Sequence, residues 1–141
     1  MRFWDSSAVL PILVTEPKSK GVTALLREDR ECWTWWATRT ECFSGLHRQV
    51  RARDLTVDEF AIARERLILF DQASSVVLPS EAIRARADRL LGIHPLRASD
   101  ALQLAAALSA AEENPGDVPF VTLDERLAEA ARKEGFPILP E

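Results

Sequence analysis

The chain has 141 residues, 47% of them apolar, with 18 Lys and Arg against 22 Asp and Glu for a formal net charge of −4. That length suits one domain, residues 1–141, with a real buried core, and the apolar content excludes a disordered chain. The mild negative charge excludes a protein that holds nucleic acid by overall basicity. No apolar run is long enough to span a bilayer, and Asp5 arrives too early for a signal peptide, so no membrane is involved and the expected location is cytoplasmic. Cys32 and Cys42, with two histidines in all, make no zinc pattern and read as small core or near-core residues.

Phe3-Trp4 reads as a short buried strand, ended by Asp5-Ser6-Ser7, which offers caps for a helix from Ala8 to about Glu16. Pro17 opens a second helix with Val22, Leu25 and Leu26 on its buried face. Cys32-Trp33-Thr34-Trp35-Trp36 is β-prone, and its three tryptophans suit either core packing or a base-stacking platform. Thr38 to Arg51 returns to a helix, with Cys42, Leu46 and Val50 on one face and Glu41 beside them. Thr56 with Glu59 predicts a capping box, opening a helix that runs through Ala61, Leu67 and Ile68 to about Asp71. Val76-Val77-Leu78 is a buried strand ended by Pro79, and Ser80 to Leu91 is a helix that Gly92 stops. Leu96 to Ala111 is the strongest helix, with Asp100 in its first turn. After a turn over 112–117 come a strand from Val118 to Thr122, a helix from Asp124 to Lys133, and a last strand, Pro137-Ile138-Leu139, beyond the Gly135 break.

Strands alternating with helices predict a three-layer α/β/α domain with a mainly parallel central sheet. Ligands of such sheets bind outside the carboxyl ends of the strands. Asp5 and Asp124 follow two strand ends, and Glu41 and Asp100 lie in helices; together they make a carboxylate cluster if the fold joins them. Carboxylates sharing a pocket raise one another's pKa unless a cation is present. A hard divalent ion with oxygen ligands, Mg²⁺ or Mn²⁺, is the economical counter-charge, and it points to phosphodiester chemistry. Each acid also has a plain reading: Asp5 and Asp124 as helix caps, Asp100 as a first-turn acid, Glu41 as a partner of Arg39 or Arg48. Arginines gather at Arg39, Arg48, Arg51 and Arg53 and again at Arg84, Arg86, Arg89 and Arg97, so contact with an anionic substrate is local or these are solvated helix faces. The helices around Leu25-Leu26 and Leu67 to Phe70 carry apolar stripes suited to the core or to a dimer seam.

The residues then match a known pattern. Asp5-Ser6-Ser7-Ala8-Val9-Leu10 resembles the first motif of PIN-domain ribonucleases, especially the VapC-type toxins of toxin–antitoxin pairs. Glu41-Cys42-Phe43-Ser44-Gly45-Leu46-His47-Arg48 is similar to the second. Arg97 through Ala107 resembles the third, and Phe120 through Leu127 the fourth. The resemblance spans essentially the whole chain in order, and no acidic position departs from it.

It implies that Asp5, Glu41, Asp100 and Asp124 hold Mg²⁺ or Mn²⁺, supported by Ser6 and Thr122. It further implies endonucleolytic cleavage of RNA by a metal-activated water, a homodimer, and a cognate antitoxin whose tail blocks the groove. Arg48 and Arg97 are candidates for phosphate contact because each lies near a proposed ligand. No lysine, histidine or cysteine is placed for covalent catalysis. Rival functions are a non-catalytic RNA- or protein-binding module on this fold and a metal-dependent phosphohydrolase. A phosphohydrolase calls for an Asp-x-Asp loop and a lysine for phosphate, neither of which follows strand one here, and a phospho-acceptor signalling domain fails on the same count. A DNA nuclease remains chemically open, since the metal site does not itself read the 2′-hydroxyl.

Overall fold

The computed structural model describes residues 1–17 and 19–141. In chain order they form β1 (Arg2–Trp4), α1 (Ser6–Leu13), α2 (Ser19–Glu28), β2 (Cys32–Trp35), α3 (Thr38–Arg51), α4 (Val57–Ala73) and β3 (Ser75–Val77). There follow α5 (Glu81–Ile93), α6 (Ala98–Ala110), a 3₁₀ turn (Pro115–Asp117), β4 (Phe120–Val121), α7 (Glu125–Lys133) and β5 (Ile138–Leu139). The strands pair in the order β3-β2-β1-β4-β5, every pair parallel. Phe3 sits opposite Trp33 on one side and Phe120 on the other, so β1 is the centre of the sheet.

Alternation along the strands divides the core in two. Phe3, Trp35 and Phe120 face α5, α6 and α7, where Ile83, Leu104 and Leu127 cover them. Trp4 and Val121 face the other way, onto Val9 of α1, Val22 of α2, Leu46 of α3 and Leu67 of α4. The result is the expected three-layer α/β/α arrangement. Phe3, Trp4 and Phe120 are wholly buried, each worth roughly 1.5–3 kcal/mol by removal from water. The stripes at Leu25, Leu26, Leu67 and Phe70 belong to the second core, and Leu69 is the residue of that stretch left 65% exposed.

Several boundaries move, each for a local reason. The first helix starts at Ser6 because Asp5 itself caps it, and it ends at Leu13, with Val14 extended. Pro17 lies in a turn ahead of α2, and Lys18 falls outside the described residues. Gly92 does not end α5: the helix continues to Ile93, and His94 is extended with φ −120° and ψ 147°. Pro95 sets that stop, because the residue before a proline is pushed out of the helical region. Gly135, in contrast, adopts φ +102° after α7, where Phe136 N–H closes onto Ala131 O in a turn that favours glycine. The fourth strand is reduced to two residues, since Pro119 has no N–H to give the ladder, though its carbonyl accepts from Phe3 at 3.0 Å. The Thr56–Glu59 capping box is present in full. Gly45 allows α3 to lie close on α1, where a Cβ would stand 2.7 Å from Leu10 Cδ1.

Candidate active site

The parallel strands all end at one edge, and the first helix after β1 and the last helix after β4 both open there. Asp5 N–H donates to Val121 O at 3.0 Å, which pins the ends of β1 and β4 side by side. The buried Asp5 carboxylate then accepts on Oδ2 from Thr122 Oγ1 at 2.9 Å, from Ser7 N–H at 3.2 Å and from Ser7 Oγ. Leu123 N–H donates to Ser7 Oγ at 2.8 Å and Asp124 N–H to Thr122 Oγ1 at 3.1 Å, so the two hydroxyls tie the loop after β4 to the start of α1. Asp124 caps α7, its Oδ1 accepting from Leu127 N–H at 2.9 Å.

Glu41 reaches the same edge from the first turn of α3. Its Oε2 accepts from Ser6 Oγ at 2.8 Å and from Gln103 Nε2 at 3.3 Å. Gln103 is fully buried and also donates to Thr38 Oγ1 at 3.0 Å, so one amide fastens α6 to the start of α3. Asp100 stands in the first turn of α6. An open cavity of about 480 Å³ lies against it, lined by Arg97, Ser99, Asp100, Asp124, Glu125 and Arg126. A groove of similar size, about 490 Å³, runs between the end of α1 and α4, but none of the four acids lines it.

Charge links the four. Asp5 is held above the usual carboxylate range first by burial, with its hydrogen-bond donors pulling back and the Asp124 charge adding to the rise. Burial also raises Glu41, opposed by Ser6 and Gln103 and reinforced by the charges of Asp5 and Asp100. Asp100 is raised by burial and then by Asp124 and Asp5, with the Arg97 backbone and guanidinium acting the other way. Among the described residues none of the four forms a salt bridge.

Compared with known families, residues 2–133 match the PIN domain. The chain belongs to the PIN-domain family. It is similar to two proteins of Mycobacterium tuberculosis strains, ribonuclease VapC45 and ribonuclease VapC49, each 30% identical over 138 residues that cover 98% of this chain and 94% of the relative. Among solved structures it resembles the crystal structure of FitAcB from Neisseria gonorrhoeae, with a TM-score of 0.64, 18% identity, and coverage of 98% of this chain and 96% of that one. That last likeness is one of fold.

In this PIN domain the four carboxylates are oxygen donors of the kind a hard divalent cation takes, and hydrogen bonds fix one oxygen of Asp5, Glu41 and Asp124. Glu41 Oε1 and Asp124 Oδ2 accept no hydrogen bond among the described residues, and Asp5 Oδ1 has only a long contact to Ser6 Oγ at 3.4 Å. Among the described residues no three His, Cys, Asp or Glu side chains sit close enough to hold an ion between them.

Ser6 and Thr122 both touch acids of the set. Arg97 lines the cavity, whereas Arg48, exposed two turns beyond Glu41, does not. Of the other arginines, Arg39, Arg84 and Arg86 are paired with Asp71, Glu81 and Glu113. Sequence reasoning missed Ser7, Gln103 and Thr38. A signal for Gln103 existed: it is the one amide in an Ala- and Leu-rich helix, three residues after Asp100, on the side that must be buried. Ser7 gives no such signal, because a serine after a strand end reads as a cap.

Proposed function

We infer that this protein is a metal-dependent endoribonuclease, the toxin of a type II toxin–antitoxin pair, acting in the cytoplasm as a homodimer and restrained by a cognate antitoxin. What supports the reading is that Asp5, Glu41, Asp100 and Asp124, from separate segments at the carboxyl edge of a parallel sheet, feel one another's charge and have no ion-pair partners among the described residues. The curated relatives are named ribonucleases, which supports RNA as the substrate class.

Asp5, Glu41, Asp100 and Asp124 are the residues that would hold Mg²⁺ or Mn²⁺, an ion that supplies Lewis-acid charge to a phosphate and lowers the pKa of an attacking water. Ser7 and Thr122 fix Asp5 Oδ2, so that Oδ1 is the oxygen that would be offered to the ion. Ser6 and Gln103 hold Glu41 in the same way by Oε2. Burial and mutual repulsion raise three of these acids, and a bound cation would favour their charged forms. Arg97 and Arg126, exposed on the wall of the cavity, are placed to accept a phosphate. Attack by water on phosphorus with the 3′ oxygen as leaving group would give a 5′-phosphate and a 3′-hydroxyl.

The test is the purified protein, free of any partner, on total cellular RNA with Mg²⁺ or Mn²⁺, with EDTA and Asp5→Asn as controls. Discrete fragments that need the metal and vanish in the variant are expected. A folded, ion-binding protein that leaves all RNA intact would sink the enzymatic reading in favour of a binding module.

A further inference from the structure

Neither the core nor the carboxylate crevice accounts for Trp36. Trp4 is fully buried and Trp35 is 5% exposed, whereas Trp36 is 57% exposed. It is the first residue beyond β2, fixed by its backbone N–H donating to Val77 O at 3.0 Å. Leu78, the first residue beyond β3, is 65% exposed, so the two strand ends together present an apolar shelf. The shelf lies on the carboxyl edge of the sheet, the edge that carries Asp5 and Thr122. Phe3 is opposite Trp33, and two further residues along both strands bring Asp5 level with Trp35. Trp36 is the next residue after that level, on a strand about 4.8 Å from β1. Two residues later α3 begins, with Glu41 in its first turn. Arg97 and Arg126 line the cavity with Asp100 and Asp124, Arg97 at the start of α6, a helix that packs over β2 and β3. One edge of the sheet therefore carries an apolar shelf, carboxylates and cations.

A polynucleotide laid along that edge can offer phosphates to the guanidiniums and a base to the indole. We propose that Trp36 is the stacking platform for an unpaired base next to the cleaved bond, so that the substrate is RNA that is single-stranded at the cut. The proposal rests on the nuclease reading above. Its physical basis is that every base has a π face that an indole can cover, which makes stacking tolerant of sequence. Inside a duplex both faces of a base are already covered by its neighbours. Trp36 thus selects for strandedness, while the carboxylates serve any phosphodiester.

The experiment compares Asp5→Asn with Asp5→Asn/Trp36→Ala and Asp5→Asn/Trp36→Phe, by fluorescence anisotropy on labelled single-stranded and duplex RNA oligonucleotides in Mg²⁺. Thermal melts and light scattering accompany each. Losing the indole should weaken single-strand binding by roughly 5- to 150-fold, with Phe recovering most of it. Duplex binding, melting temperature and mass should stay unchanged. Equal single-strand affinity with and without Trp36 overturns the inference and leaves the nuclease reading standing. A Trp36→Ala change in molecular mass also overturns it, and assigns the shelf to a contact between two copies of the chain. No RNA binding by any of the three, with wild-type protein inert on total RNA, overturns the nuclease reading and this inference together.

Discussion

Replacing Asp5 by Asn should make the protein more stable at neutral pH while removing its activity. Asp5 Oδ2 accepts three hydrogen bonds, from Ser7 N–H, Ser7 Oγ and Thr122 Oγ1, and an Asn amide oxygen can take all three. Asn also caps a helix as well as Asp does, so the start of α1 is kept. What the substitution removes is a buried charge that no cationic side chain neutralises. The effective cost of such a charge is several kcal/mol. Against it, three bonds to a charged acceptor become bonds to a neutral one, a loss of about 1 kcal/mol each. The balance favours Asn by about 1–2 kcal/mol, or roughly 3–6 °C in Tm for a chain of this size.

The pH dependence follows from the same asymmetry. Burial raises Asp5 in the folded state, so between the unfolded value near 3.8 and the folded value the native protein binds more protons than the unfolded chain. Wild-type stability attributable to Asp5 therefore rises as pH falls through the folded pKa, and the penalty at neutral pH disappears. Differential scanning calorimetry in EDTA should show a Tm gap between variant and wild type that is widest near pH 8 and closes on acidification. The difference also contains the relief of Glu41 and Asp100, which the Asp5 charge raises and which act in the same direction. Asp5→Ala, which loses the acceptor together with the charge, should fall about 1–2 kcal/mol below the Asn variant. An Asn variant no more stable than wild type at pH 8, or a gap indifferent to pH, would refute the picture of an uncompensated buried carboxylate.

At Gly45, alanine should be nearly neutral, because Leu10 Cδ1 at 2.7 Å is a side-chain end that can rotate and the helix gains about 1 kcal/mol from Gly to Ala. Gly45→Leu has no such escape and should lower Tm sharply and reduce RNA cleavage, both read on the same preparation, by prising α1 and its Ser6 from Glu41. Thr56→Ala breaks a capping box at the start of α4 and should cost about 1 kcal/mol in urea unfolding without touching activity. Burial, with the nearby Asp29 charge, pushes the Cys32 thiol up to about 12, and burial with the Asp5 and Glu41 charges raises Cys42 as well. Both should resist iodoacetamide at pH 8 in the native protein and react once it is unfolded, as mass spectrometry would show. Rapid native modification at Cys42 would mean that the α1–α3 contact opens readily.

What could be read from the chain alone is set by how far each interaction reaches. Thr56 and Glu59 answer each other across one helical turn, so their capping box is visible as a pattern. Gly92 and Gly135 are the same residue type with opposite outcomes, and the difference lies in Pro95 on one side and a left-handed turn on the other. Ser7 and Gln103 act through bonds spanning 116 and 62 positions, and no local spacing announces a partner so distant. Asp5 and Asp124 stand at the carboxyl edge of the sheet for another reason, which bears on the rivalry between a cap and a site. A helix that follows a parallel strand opens at the carboxyl edge of the sheet, where ligands bind. Its N-cap carboxylate therefore stands in the crevice whatever else it does. Asp124 shows how both roles are met at once: Oδ1 satisfies Leu127 N–H and closes the helix, and Oδ2 is left facing outward. Asp5 does the same with Oδ2 and Oδ1. In this fold the capping oxygen holds the carboxylate rigid, so under the proposed function the cap role of Asp5 and Asp124 would be what steadies their other oxygens for a cation.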